Sequence, residues 1–258
     1  MLNDRCMNGG SEHPRDEASS GENRRPLFTT THWSIVLATG AAESSRAQEA
    51  VSRLCRSYWY PLYAYVRRRG CSAEDAEDLT QEFFARLLEK QSLAHLTRHG
   101  GRFRSFLLKS LDHFLVEQWR RARTQKRGGG QVISLDAASA ETRYRLEPAD
   151  EHTPETLFDR AWALALLASV FYHLQEEYAR AGKAALFEQL KFCLTGQRSA
   201  IPYAELAARL TMPENTLKTL VRRLRERYRE LLRAEVAQTV ATSAEIDEEL
   251  QSLFRALG

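Results

Sequence analysis

A chain of 258 residues, 28% charged and 43% apolar, has room for one or two domains with real cores, and its net charge of +3 alone argues only weakly for a nucleic-acid partner. No apolar run approaches the ~18 residues of a membrane span, and the N-terminus is too polar for a signal peptide, so a cytoplasmic protein without a membrane partner is expected. The four cysteines, Cys6, Cys55, Cys71 and Cys193, form no CxxC pair and read as reduced thiols rather than a disulfide or metal framework.

The distribution of charge says more than its sum. Basic residues cluster within Arg102–Arg127 and Lys218–Arg233, and acids within Glu74–Asp78 and Glu245–Glu249. Two separate basic patches suggest two contacts on one polyanion.

Residues 1–27 are polar and aperiodic and are expected to form a disordered tail. Order is expected to begin near Thr29–Trp33, with Thr31 or Ser34 as a helix cap. From Ala47 to Arg69 a stripe of Leu54, Tyr58, Leu62 and Tyr65 or Val66 predicts an amphipathic helix. Pro61 within it implies a kink or a break. Arg67, Arg68 and Arg69 before Gly70 suit a helix C-terminus, with cations on the negative dipole end and glycine beyond the cap.

Ser72 and Asp75 resemble a capping box that opens the next helix, whose apolar face is Leu79, Phe83 or Phe84, and Leu87. Acids in its first turns complement the helix dipole, which accounts for them without any partner. Glu77, Asp78, Gln81, Glu82 and Arg86 nonetheless form a polar face open to one. His95 and His99 have the i,i+4 spacing of a metal pair, but no acid or cysteine completes a set, so no metal is expected.

Arg102 to Arg127 predicts a long basic helix with a core face of Phe103, Leu107, Leu111, Phe114 or Leu115, and Trp119. Aromatics interleaved with cations also suit unpaired bases, although core packing explains any single one of them. Gly128–Gly130 closes this segment, and 128–153 reads as a linker with "VISL" and "RYRL" as its only apolar islands. Thr153, with Pro154 at the first helical position, opens a helix to about Ala181 that buries Phe158, Trp162, Leu166, Val170 or Leu167, Leu174 and Tyr178. A further helix is expected over Ala184–Leu194.

Ile201–Arg233 reads as a helix-turn-helix. Tyr203–Leu210 and a helix from Glu214 flank a break of only Thr211, Met212 and Pro213. Ala207 is the small residue at the crossing, Leu217 and Leu220 face inward, and Glu214, Asn215, Lys218, Thr219, Arg222 and Arg223 face outward. Such side chains suit base edges and phosphates of a major groove. Thr211 stands where glycine is usual; a β-branched residue resists positive φ by ~1–2 kcal/mol, so a reshaped turn is expected. The tail from Ser243 carries an apolar stripe of Ile246, Leu250, Leu253 and Leu257 on an acidic helix, suited to fold back on the protein or to dock on a partner. No strand pattern is present, and an all-α fold of two helical domains joined by a long linker is expected.

The succession "DAEDLTQEFFARLL", "FRSFLLKSLDHFLVEQWRR", a linker and "YAELAARLTMPENTLKTLVRRLRERYREL" resembles an RNA polymerase sigma factor of the extracytoplasmic-function (ECF) group of the sigma-70 superfamily. The likeness covers residues 30–127 and 155–235. It implies a division into a tail (1–27), a region 2-like domain (28–127), a linker (128–153), a region 4-like domain (154–240) and an acidic tail (241–258). By that resemblance Asp75, Glu77, Asp78, Gln81 and Glu82 would dock on the clamp of the polymerase largest subunit. Arg102, Phe103, Arg104, Lys109, His113, Arg120 and Arg121 would hold the melted −10 element, with Thr97–Gly101 part of a flipped-base pocket. Glu214, Asn215, Lys218, Thr219, Arg222 and Arg223 would read the −35 element while that domain rests on the polymerase flap.

Promoter DNA and core polymerase are then the partners, an anti-sigma factor or other regulator is a further candidate, and neither cofactor nor enzymatic activity is implied. The chain departs from the family pattern at Phe106, where tryptophan is common, at His113, where asparagine is, and at Thr211, Pro213 and Asn215, which replace Gly, Ser and Gly. A stand-alone helix-turn-helix regulator of duplex DNA is the alternative, but it leaves the acidic and the basic-aromatic helices without a role.

Overall fold

A computed structural model describes residues 45–89, 102–124, 137–147, 153–194 and 202–258. The expectations for the N-terminal tail, the start of order near Thr29–Trp33, the His95/His99 pair and the Thr97–Gly101 loop lie outside these residues. The described residues are all-α, without a strand: α1 (Ser45–Arg68), α2 (Ala73–Glu89), α3 (Phe103–Thr124), α4 (Ala137–Arg145), α5 (Pro154–Arg180), α6 (Ala184–Leu190), α7 (Tyr203–Arg209), α8 (Glu214–Ala237) and α9 (Ile246–Leu257). Short 3₁₀ turns at Lys191–Leu194 and Ser243–Glu245 follow α6 and precede α9.

Helix α1 is the centre of the larger core. Every residue from Tyr58 to Val66 is buried, because α2, α4 and α5 pack around the helix. A helix apolar on all sides must be enclosed in this way. The same enclosure explains why Pro61 does not break α1, as the sequence suggested it could. The ring deprives the Ser57 carbonyl of its N–H partner, and packing on every side outweighs that loss. Gly70, with φ 92°, closes the helix from the left-handed region, its N–H donating to the Arg67 carbonyl at 3.1 Å.

Helix α5 starts as its sequence dictates. Thr153 is the N-cap, accepting from the Thr156 N–H at 3.2 Å, and Pro154 occupies the first turn. It then runs through two cores. Leu157, Phe158, Ala161, Trp162, Leu166 and Val170 pack against α1, α3 and α9, whereas Leu174 joins Phe187, Leu190, Leu206, Leu217, Val221 and Leu224. Each large side chain so buried stabilises the fold by about 1.5–3 kcal/mol. Helix α5 has the length and apolarity of a membrane span, which corrects the reading that no run comes near one; its buried residues belong to these two cores. Helix α8 also joins them, with Leu217, Val221 and Leu224 in the smaller core and Leu232 and Val236 in the larger.

Helix α4 lies in the stretch read as a linker. It docks on α1 through buried Ala140, through Tyr144 and through a set of polar contacts. Glu141 accepts from Arg67 Nε and Nη2, each at 3.0 Å, and from Tyr63 Oη at 2.6 Å. The Arg67 guanidinium lies 4.9 Å from the Tyr144 ring centre, and that of Arg143 3.8 Å from Tyr60. Arg67 and Tyr63 hold the Glu141 carboxyl at a pKa of about 2, well below the ordinary carboxylate range. A depressed folded pKa adds stability above the unfolded value near 4.5, and that contribution fades as pH falls toward 2. Glu141→Gln is therefore expected to cost about 1–2 kcal/mol at neutral pH and to flatten this acid-side loss. Urea unfolding at pH 7 and pH 3 measures both effects.

A candidate nucleic-acid and polymerase interface

Ser72 caps α2, its hydroxyl accepting from the Asp75 N–H at 3.0 Å and donating to the Asp75 carboxylate at 2.7 Å. The helix buries Ala76, Thr80, Phe83, Phe84 and Leu87, which divides the polar residues into two sets. Asp75, Asp78 and Glu82, at i, i+3 and i+7, share the exposed face. Glu77 and Gln81 lie half-buried along its side, joined by a 3.0 Å hydrogen bond. Glu82 is oriented by Arg86 at 2.8 Å and by a hydrogen bond from Gln118 of α3. The Gln118 bond brings the acidic face and α3 together at Glu82.

Helix α3 buries Phe103, Leu107, Leu111, Phe114 and Leu115. Its exposed stripe is Ser105, Lys109, His113, Val116 and Arg120, within about 40° either side of one line at ~100° per residue. Arg121 is exposed too, and its guanidinium is held by Glu117. Lys109, His113, Arg120 and Arg121 thus stand where a polyanion can reach them.

Phe103 does not, and the reading that placed it on DNA is corrected by its surroundings. Its ring is 0% exposed and meets Tyr58 edge-on with centroids 5.4 Å apart. Arg104 is 6% exposed and lies over Trp162 at 4.9 Å, bound by Glu249 at 2.7 Å and by Asp159. Arg102 also pairs with Glu249, at 2.8 Å. Both arginines are therefore engaged within the protein.

Trp119, assigned to the core by periodicity, is 39% exposed, and the Arg69 guanidinium lies 5.6 Å from its ring centre. This aromatic-cation pair beside the α3 stripe is a contact that the sequence reading missed. The signal in the sequence is the basic run Arg67–Arg69, which also suits the helix dipole.

In the helix-turn-helix, Glu214, Asn215, Lys218, Thr219, Arg222 and Arg223 are all exposed on the first turns of α8. Glu214 pairs with Lys218 at 2.7 Å, and Thr219 donates to the Asn215 carbonyl at 3.0 Å. Ala207 is buried at the crossing. Farther along α8 two exposed arginines also bind within the protein: Arg227 grips Glu177 of α5 at 2.7 and 2.9 Å, and Arg225 donates to the Cys193 carbonyl at 3.0 Å.

The turn is not reshaped. Thr211 takes φ 52°, the only positive φ of a non-glycine among the described residues. Its N–H donates to Ala208 O at 3.1 Å, and the Met212 N–H to Ala207 O at 3.0 Å, the paired bonds of a Schellman cap. These two bonds satisfy the last carbonyls of α7 and offset part of the strain at threonine. Thr211→Gly is expected to stabilise the protein by about 1 kcal/mol in thermal or denaturant unfolding.

With α1 to α3 in place, the comparison with known families becomes informative. Residues 50–125 match the family model of sigma-70 region 2. This supports a sigma-70 family member. The matched segment spans most of α1, all of α2 and all of α3, which carry the acidic face and the basic stripe. Comparisons with curated proteins and with solved structures gave no match. A sigma-70 region 2 supports a sigma factor role in transcription initiation and implies binding to core RNA polymerase and promoter DNA.

Proposed function

We propose that this protein is an ECF-type sigma factor that binds core RNA polymerase, recognises two promoter elements and melts the downstream one. The observation that carries this reading is the juxtaposition of an acidic α2 face with a basic α3 stripe inside the region 2 match. Asp75, Asp78 and Glu82 form the exposed part of the surface for the clamp of the polymerase largest subunit, with Glu77 and Gln81 along its flank. Lys109, His113, Arg120 and Arg121 carry the −10 contact, with Trp119 and Arg69 beside them to stack on an unpaired base. Arg102 and Arg104 extend this set at the start of α3, while Phe103 supports it from the core. Residues 154–240 act as the region 4-like part, which rests on the polymerase flap. Its Glu214, Asn215, Lys218, Thr219, Arg222 and Arg223 enter the major groove of the −35 element, each good base contact contributing ~1–3 kcal/mol of discrimination.

Run-off transcription tests this directly. Bacterial core polymerase supplemented with the chain and a pool of promoter fragments is expected to yield discrete transcripts from specific start sites. Duplex binding without any such transcript would move the protein to the class of stand-alone helix-turn-helix regulators.

A further inference from the structure

The acidic C-terminal helix α9 is built into the larger core next to the start of α3. Ile246 and Leu253 are buried, and Leu250 and Leu257 pack partly against the same cluster, so the whole predicted apolar stripe is used. The approach is fixed by a Thr242–Glu245 capping box, in which the Thr242 N–H donates to Glu245 Oε2 at 2.9 Å. Asp247 pairs with Arg233 of α8 at 2.5 Å. Just before this helix, the Phe103 N–H donates to the Thr239 carbonyl at 2.9 Å, tying the first residue of α3 to the same segment.

One carboxylate in this arrangement is unusual. Glu249 is 0% exposed, yet it bridges two guanidiniums, accepting from Arg104 Nε at 2.7 Å and Nη2 at 3.3 Å and lying 2.8 Å from Arg102 Nε. Planar, two-pronged binding of this kind is how arginine holds a phosphate. A cleft of about 380 Å³ opens beside the bridge between the starts of α3 and α5 and the end of α9. Arg102, Arg104, Arg160 and Arg255 line it together with Asp159. A nucleic-acid phosphate therefore has an approach to the two arginines that Glu249 occupies.

We infer that α9 is an autoinhibitory clasp, in which Glu249 stands in for a DNA phosphate on Arg102 and Arg104 and leaves when promoter DNA is engaged. The inference rests on the proposal that these two arginines belong to the DNA-contacting set. The energetics allow release. The attraction within a buried ion pair is largely offset by the cost of stripping both partners of water, so the clasp is held mainly by the Ile246 and Leu253 side chains. A polyanion that supplies phosphates to the same guanidiniums replaces the pair without stranding a charge. In the free chain the clasp lowers non-specific affinity for nucleic acid by neutralising two cations at the start of α3.

The test uses the full chain and a single-stranded DNA oligonucleotide of mixed sequence. Glu249→Gln keeps the shape of the clasp and removes its charge. It is expected to raise affinity about tenfold at low salt, because no carboxylate then has to be displaced, and to leave the slope of log affinity against log salt unchanged, since the complex neutralises the same phosphates. An unchanged affinity in a folded variant would overturn the clasp. Hydrogen exchange of the wild-type chain gives a second readout that needs no variant. Amides of 246–257 are expected to lose protection when the oligonucleotide or the complete transcription complex is formed. Helix α9 amides equally protected in free and transcribing protein would sink the clasp while leaving the sigma factor reading intact. A wild-type chain that neither binds the oligonucleotide nor supports transcription would overturn both.

Discussion

Reversing Asp78 and Glu82 together to lysine is expected to weaken the complex with core RNA polymerase by about a hundredfold or more, ~2.7 kcal/mol. Both residues lie on the exposed face of α2, so the cost within the free protein is small. Glu82 gives up its 2.8 Å pair with Arg86 and its bond from Gln118, and exposed pairs of this kind contribute about 0–1 kcal/mol. At an interface the same change sets like charges against a basic partner surface, which costs several kcal/mol. The expected signature is loss of polymerase binding in a pull-down or by anisotropy, loss of run-off transcripts, and unchanged thermal unfolding. Oligonucleotide binding by α3 should persist. Transcripts that survive the reversal would leave the activity standing and remove α2 as the docking face.

Phe103→Ala is expected to destabilise the protein by about 3–5 kcal/mol, the usual result of emptying a fully buried aromatic site. The ring sits between Tyr58 and Phe106, at centroid distances of 5.4 and 6.1 Å. Its removal leaves a cavity that α1 and α5 cannot close without shifting the helices around them. Denaturant unfolding measures the loss directly. A surface aromatic that stacks on a base would behave in the opposite way, with stability unchanged and DNA affinity reduced. The two outcomes separate a residue that supports the interface from one that belongs to it.

This distinction marks where the chain was legible from its sequence. Elements held by apolar burial announced themselves: the α1 stripe, the Thr153–Pro154 start of α5, the Ala207 crossing and the Ile246–Leu257 stripe are all present. Helix α4 did not, because it docks through Glu141, Arg67 and two arginine-aromatic contacts, and hydrophobic periodicity registers none of these. Pro61 misled for a related reason, since its local cost is visible in sequence and the enclosure that outweighs it is not. At the interface, periodicity sorted most of α3 by depth and put Phe103 on the core face, while only the family resemblance set it and Arg104 on DNA. Arg104 and Phe103 occupy the buried side because α5 and α9 cover the start of α3, and those partners lie far away in sequence. Trp119 escapes that cover and remains accessible.

The passage of α5 through both cores limits how freely this architecture can be cut and recombined. A break at the apparent boundary before Pro154 strips Leu157, Phe158, Ala161 and Trp162 from the larger core, along with Leu232, Val236 and Leu253 farther on. The N-terminal piece is then left with Tyr58, Phe103 and Leu111 uncovered. Exchange of the C-terminal half between homologous chains must therefore carry over matching surfaces on α1 and α3. A substitution on α5 that changes the volume facing α1 then needs a matching change on α1 if the shared core is to stay filled.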